Sequence, residues 1–294
     1  VGVAFDCFGL TDRGRVRSRN EDQFLVADLT KSLRVRATSV PEEVSGALGG
    51  KEHGKLFLVA DGMGGQAGGE LASGVATETI ARYVLHTMPW FFRLHDDGAD
   101  DLEQQLRAAL HACREEVTAV GRASGYADMG TTLTLGYLMW PWLYVVHVGD
   151  SRAYLFRDGE ARQLTTDHTV AQRMVEKGLL SPDQAAASRW GHALMRCVSA
   201  GTPEADVDVL KVKLRTGDAL LFCTDGLSKY LAPAAIASSL AKGESAEATA
   251  RELVAAANEA GGSDNVTVVV VRAAPDPAAV AQTPADGTAL LPPA

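Results

Sequence analysis

No two cysteines of this chain stand close enough in sequence to share a site. The four, Cys7, Cys113, Cys197 and Cys223, are scattered with no CxxC pair, and each sits in an apolar or helical context. That spacing argues against a zinc ribbon or a redox motif and predicts buried free thiols in a reducing compartment. The seven histidines form no HxxxH or HxH group, so zinc is not expected. Long apolar runs are missing too. The longest apolar region, 133–148, is broken at Trp140-Pro141 and falls short of the ~18 residues a membrane span needs, so it reads as two strands of a hairpin. The chain does not open with a charged start followed by an apolar segment, and no secretory signal is expected. Positive charge is in deficit, with 28 Lys and Arg against 37 Asp and Glu and a net charge of −9. An acidic surface disfavours polynucleotides. These absences together predict a soluble cytoplasmic protein with neither nucleic acid nor membrane as partner.

What is present is apolar material for a sizeable core, 46% of 294 residues. The stretch KLFLVADGMGG (55–65) organises the rest. Residues 56–60 form a continuous apolar run of strand length, ending in Asp61-Gly62. An Asp at the mouth of a buried strand must be hydrated, paired or bound to a cation, and neighbouring glycines let backbone and ligand approach. Alone, Asp-Gly after a strand is ordinarily a turn. The pattern recurs, however. Residues 220–224 end in Asp225-Gly226, residues 145–148 end in Gly149-Asp150, and Asp264-Asn265 opens the run 266–271. If these ends converge they form a pocket of oxygen ligands, suited to Mg²⁺ or Mn²⁺. Two such ions roughly 3.5–4 Å apart can activate a water and neutralise a phosphoryl group. Glu21-Asp22 joins the set or is a surface pair, and Arg17 is one of four arginines in a loop with Arg13, Arg15 and Arg19.

Period-2 alternation marks a first strand at 3–8, with a Gly-rich basic loop after it, and a second strand at 24–27; 30–54 reads as an exposed connection. Helical spacing of Leu71, Val75, Ala76, Ile80, Val84 and Leu85, then of Leu102, Leu106, Ala109, Leu110, Cys113 and Val117, predicts two helices. The polar loop between them carries His95. Strands follow at 131–138, 143–148 and 153–156, with a hairpin turn at 157–160, and their short links predict antiparallel neighbours. Thr166-Asp167 reads as the N-cap of a helix to Lys177, and Ser181-Pro182 as the start of another. Strands 207–214 and 219–224 are expected to pair across Thr216-Gly217; helices at 233–240 and 246–260 precede the last strand. From Ala273 the composition turns to Ala, Pro, Thr and Asp, and a disordered tail is expected over 273–294. Early strands, two long helices and a run of hairpins make an α+β layered protein.

Seven motifs, VRSRNEDQF (16–24), VADGMGG (59–65), MGTTLT (129–134), VVHVGDSRAYLFRDG (145–159), LTTDHT (164–169), FCTDGLS (222–228) and GGSDNVTVVV (261–270), resemble in order and spacing the metal-dependent protein phosphatases of the protein phosphatase 2C family, bacterial branch. The likeness covers about residues 3–272, taken as one catalytic domain over 1–272. It implies a four-layer αββα sandwich, two antiparallel sheets flanked by helices, with metals in a cleft at one end. Hydrolysis of phosphoserine and phosphothreonine would use a metal-activated water at a binuclear Mn²⁺ or Mg²⁺ centre, with a third, weaker site. By the same resemblance Asp61 bridges two ions and the Gly62 carbonyl binds one, while Asp225 and Asp264 complete a shell. Asp22 sits against metal-bound water with Glu21 its neighbour, Asp150 shares a third ion with Asp225, and Arg17 binds phosphate. The implied partners are phosphorylated proteins, substrates of a serine/threonine kinase. Met63 stands where some relatives carry a His after DG, which leaves the general acid open, with His168 as a substitute. Residues 170–200 match the flap of bacterial members in position, with a divergent ending at RWGHALMRCVSAG.

The one CxxxxxR spacing, Cys7 to Arg13, starts inside the first predicted strand rather than in a loop, and a cysteine phosphatase is set aside. Two rivals remain: a catalytically weak regulatory or phosphoprotein-binding member of the fold, disfavoured by the full set of aspartates, and another two-metal phosphohydrolase, such as a nuclease, disfavoured by the acidic charge.

Overall fold

The structure, a computed structural model, describes residues 2–30, 52–64, 67–87, 99–186, 188, 190–200 and 207–276. In chain order the elements are β1 (Val3–Asp12), β2 (Asp22–Thr30), β3 (Glu52–Met63), α1 (Gly68–His86), α2 (Ala99–Ser124), β4 (Gly130–Thr131), β5 (Leu133–Met139), β6 (Trp142–Val148), β7 (Arg152–Arg157) and β8 (Glu160–Gln163). There follow α3 (Val170–Glu176), α4 (Pro182–Ala186), β9 (Val198–Ser199), β10 (Asp208–Lys213), β11 (Ala219–Cys223), α5 (Asp225–Ser228), α6 (Pro233–Ala241), α7 (Ala246–Glu259) and β12 (Val266–Pro275).

The apolar run of β3 is apolar on both faces, and this is why it shows no alternation. Phe57 and Val59 point into a core between two sheets, where they meet Phe222, Leu220, Val269 and Val271. Leu56, Leu58 and Ala60 point the other way, onto Ala72, Ala76 and Ile80 of α1 and Leu102 and Leu106 of α2. A third core packs Leu221, Cys223, Val268 and Val270 against Ile236, Leu240 and Leu253 of α6 and α7. Three cores separate four layers, helix–sheet–sheet–helix. One sheet runs β1-β12-β11-β7-β8; the other runs β10-β6-β5-β3, with β2 and β4 also on β3 and β9 on β4. All of these pairings are antiparallel. Gly136 in mid-strand has a packing reason: a β-carbon there would lie 2.5 Å from Phe222 Cζ.

Several expectations need correction. β6 and β7 follow one another closely but lie in different sheets, and Gly149-Asp150-Ser151 is the crossing between them. β10 and β11 likewise part, β10 to β6 and β11 to β7 and β12, because each buries its apolar residues against a different partner sheet. The first loop begins later than expected, since β1 runs to Asp12, and β2 spans Asp22–Thr30 rather than 24–27. The cap of α3 is Thr169, whose hydroxyl accepts from Gln172 N–H, and not Thr166-Asp167. Leu85 is exposed on α1. Asp225–Ser228 forms a short helix for which the sequence pattern assigns no element. Strand β12 continues to Pro275, three residues into the segment assigned to the tail, because Pro275 and Ala273 pair with Val3 and Phe5. The remainder of that tail from 277, most of the 30–54 connection and His95 lie outside the described residues.

Candidate functional site: an acidic cleft between the sheets

Strand ends from both sheets meet at one edge of the sandwich. Asp22 opens β2 directly opposite Asp61 of β3. Asp225 follows β11, Asp264 precedes β12, and Asp150 lies in the crossing from β6 to β7. Together with Arg17, Glu21, Gly62, Met63 and His192, the residues Asp61, Asp150, Asp225 and Asp264 line a cleft of about 500 Å³. The structure thus brings together Arg17, Glu21, Asp61, Gly62, Asp150, Asp225 and Asp264, with Asp22 opposite Asp61 and buried behind the lining.

Neighbouring hydroxyls, amides and a glycine hold these segments from behind. Thr132 Oγ1 accepts from Asp61 N–H at 3.0 Å, while Thr132 N–H and Thr131 Oγ1 both donate to the Asp61 carbonyl at 2.9 Å. Gly62 admits no side chain, since a β-carbon would lie 2.1 Å from the Gly69 carbonyl oxygen. Asn265 accepts from Glu21 N–H and donates to the carbonyls of Arg13 and Arg19, which fastens the basic loop to the start of β12. Arg17 Nη2 donates to Asp264 Oδ2 at 2.8 Å, with half of its side chain exposed in the cleft. Arg152 makes a two-point contact with Asp167, at 2.9 and 2.6 Å, so the Arg of GDSR and the Asp of TTDHT satisfy one another.

The electrostatics of the cleft are strained toward protons or cations. Asp22 is buried; its Oδ2 accepts from Thr224 and Thr267 hydroxyls at 2.8 and 2.7 Å, and its Oδ1 has no partner. Burial pushes this carboxyl up to about 7, with Asp225 and Asp264 adding to the rise and the two threonines opposing it. Asp61 is raised well above the usual carboxylate range by burial and then by Asp22, Asp225, Asp150 and Asp264. Asp150 is pushed up to about 7 by burial first and by Asp225 and Asp167 next. Asp225 Oδ1 is buried without a partner, while Oδ2 lies 3.2 Å from His192 Nδ1. Orphaned carboxylate oxygens are costly. Five carboxylates, Asp22, Asp61, Asp150, Asp225 and Asp264, gather at one space, two of them with an orphaned oxygen, and such oxygen ligands fit hard divalent cations.

A profile of the protein phosphatase 2C family matches residues 45–269. The chain belongs to that family. The serine/threonine protein phosphatase PstP of Mycobacterium tuberculosis is 34% identical over 88% of this chain, and the chain spans 43% of that relative's length. The serine/threonine phosphatase stp of Listeria monocytogenes is 28% identical over 89% of this chain and 93% of its own. Among solved structures, the Mycobacterium tuberculosis serine/threonine phosphatase PstP/Ppp has a TM-score of 0.72 at 32% identity, covering 91% of this chain and 98% of that one. The catalytic domain of PstP in complex with two manganese ions has a TM-score of 0.71 at 29% identity, over 93% and 100% of the two chains. The four-layer sandwich is the architecture of this family.

Sequence reasoning missed His192. In the divergent flap ending RWGHAL it is one histidine among seven with no grouping, yet its ring meets Asp225, and its nitrogen and the carboxylate oxygens of Asp150 and Asp225 lie within 4.8 Å of one another. Only the fold brings it there. Thr224 and Thr267, which hold Asp22, were missed as well, although one stands next to Asp225 and the other two residues after Asn265 inside quoted motifs. His168, the substitute general acid, does not face the cleft. It lines a separate depression with Asp167, Arg173 and Asp208, and both of its ring nitrogens are engaged there.

Proposed function

We propose that this protein phosphatase 2C family member hydrolyses phosphoserine and phosphothreonine in proteins and depends on Mn²⁺ or Mg²⁺. The observation that carries this is the set of buried, mutually repelling carboxylates, two of them with an oxygen that no protein donor reaches. Asp61, the Gly62 carbonyl, Asp225 and Asp264 would hold the cations, with Asp22 beneath them and Glu21 beside the cleft wall. Asp150 would hold a further, weaker ion with Asp225, where His192 offers a third donor. Cations bound there supply Lewis acidity and an activated water for in-line attack on phosphorus. The chain's own part is to place them and to hold the phosphoryl group. Arg17 does the second, since a guanidinium with one face turned to the cleft pairs with phosphate in two-point fashion. Its contact with Asp264 orients that face. Relatives described as serine/threonine phosphatases support the substrate class, and the acidic net charge disfavours an oligonucleotide. The protein substrates would be those of a serine/threonine kinase. Among the described residues no helix is long and apolar enough to cross a membrane; the scattered cysteines, all four of them free, support a reducing, cytoplasmic place of action. Residues 1–272 are taken as the catalytic unit, with β12 extending it to Pro275.

The test is turnover of a phosphothreonine peptide by the purified chain in Mn²⁺. Activity should vanish in excess chelator, and in Asp61→Asn or Asp225→Asn proteins that keep the wild-type circular dichroism. Undiminished turnover in chelator, or cleavage of an oligonucleotide in preference to the peptide, overturns the proposal.

A further inference from the structure

The crossing from β6 to β7 places Asp150 in the cleft, and its geometry hangs on the residue before it. Gly149 is buried with φ of +114°, and a β-carbon there would meet Thr132 Cβ at 2.6 Å. Its peptide groups have lost their sheet partners at the point where the chain leaves one sheet for the other, and buried amides need replacements. His168 supplies both. Its backbone N–H donates to the Gly149 carbonyl at 2.7 Å, and its ring Nδ1 accepts from Gly149 N–H at 3.2 Å. An Nδ1 that accepts leaves the ring proton on Nε2, which faces Asp208 Oδ2 of β10 at 3.1 Å. His168 is 8% exposed, and its ring packs against that of His147 at a 40° tilt, with centroids 4.7 Å apart. His147 is in turn held by Thr134 Oγ1 and the Thr166 carbonyl. On its outer side the His168 carbonyl accepts from Met195 N–H at 2.8 Å, two residues before Cys197 at the cleft.

We propose that His168 is a positioning residue whose Nδ1 clamps the Gly149 amide, so that Asp150 is held in place to capture the weaker cation. The role replaces the general-acid part that the motif suggested. It rests on the proposed reading of Asp150 as a cation ligand. A residue that orients a ligand from outside in this way governs metal affinity roughly 10- to 100-fold, without touching the metal. It also joins three elements at one residue, β10 and the β6–β7 crossing through its ring and the flap ending through its backbone carbonyl.

Two substitutions divide the ring's functions. Asn places a carbonyl oxygen near Nδ1 and keeps the contact with Gly149; Gln reaches toward Nε2 and keeps the contact with Asp208. Mn²⁺ binding to the whole chain is measured by calorimetry and by the paramagnetic resonance of free Mn²⁺. The ion of interest is the one lost in Asp150→Asn. His168→Asn should bind it within about twofold of wild type, whereas His168→Gln should weaken it roughly 10- to 100-fold. Neither should disturb the tighter ions. Equal affinity in His168→Gln and wild type overturns the proposal, as does equal loss in both variants. A second measurement needs no variant: nitrogen-15 spectra of the wild-type ring should report the Nε2–H tautomer, and the Nδ1–H tautomer would refute the clamp. If wild type binds no Asp150-dependent ion at all, the ligand reading of Asp150 fails first and takes this one with it, a result visible in the wild-type titration alone.

Discussion

Arg17 reaches the cleft from a loop without regular structure, and three neighbouring arginines share that loop. Their surroundings separate them. Arg13 turns its guanidinium to the Ser18 carbonyl, Arg19 approaches Glu70 at 3.8 Å, and Arg15 meets Gly262 through its backbone N–H at 2.7 Å. Arg17 alone of the four lines the cleft. Charge-assisted hydrogen bonds contribute about 1.5–3 kcal/mol, so Arg17→Ala should lower kcat/KM on a phosphopeptide roughly 10- to 100-fold while the tightly held Mn²⁺ remains bound. Arg15→Ala and Arg19→Ala should stay within a few-fold of wild type. The reverse order would show that a different arginine meets the phosphoryl group.

At the level of elements, the last strand is longer than its composition suggests. Ala273 is buried; its N–H donates to the Asp218 carbonyl at 2.9 Å and its carbonyl accepts from Gly217 N–H at 2.7 Å. Ala-Ala-Pro looks like the beginning of a tail because those residues have low strand propensity, yet β1 and the β10–β11 turn provide partners on both sides. Ending the chain after Arg272 therefore removes two buried backbone hydrogen bonds and should destabilise the fold by about 1–3 kcal/mol. Ending it after Asp276 should not. Denaturant midpoints of the two truncations decide the point, and coincidence of both with the full chain would place the boundary back at Arg272.

Over the whole molecule, the acidic cleft couples stability to metal and to pH. Asp22 and Asp150, both pushed up to about 7 by burial, keep protons in the metal-free fold that the unfolded chain releases near its usual carboxylate value. Their contribution is whole below about pH 4 and is lost as pH rises through about 7. His147, lowered to about 4 by burial, acts in the opposite sense as pH falls below its unfolded value. The slope is therefore best read by comparison with Asp22→Asn. Metal-free wild type should lose melting temperature between about pH 5 and 7.5 relative to that variant. Saturating Mn²⁺ should abolish the loss and raise wild-type stability by about 3–4 kcal/mol at 100–1,000 times the dissociation constant. A metal-free slope equal to that of Asp22→Asn would mean that Asp22 is charged in the fold.

The sequence by itself singled out the aspartates that the fold gathers in one cleft and determined that the fold is layered. Strand-ending aspartates beside glycines repeat in the chain, and a buried carboxylate announces itself because it must find a partner. Runs such as Leu56–Ala60 show that β3 is covered on both faces, though not by what. Three things were decided only by tertiary structure. The sheet that a strand joins depends on which apolar face is left to cover, so β6 and β7 part across three residues and β10 and β11 across five. Backbone partners arriving from distant segments kept Ala273 in the sheet. His192 met Asp225 because the flap folds back over the cleft edge, and His168 turned both ring nitrogens away from it because a chain that changes sheets leaves amides to be satisfied. Local pattern reports what a side chain is; what it faces is set by residues far away in sequence, through the burial and hydrogen bonding that the whole fold must satisfy at once.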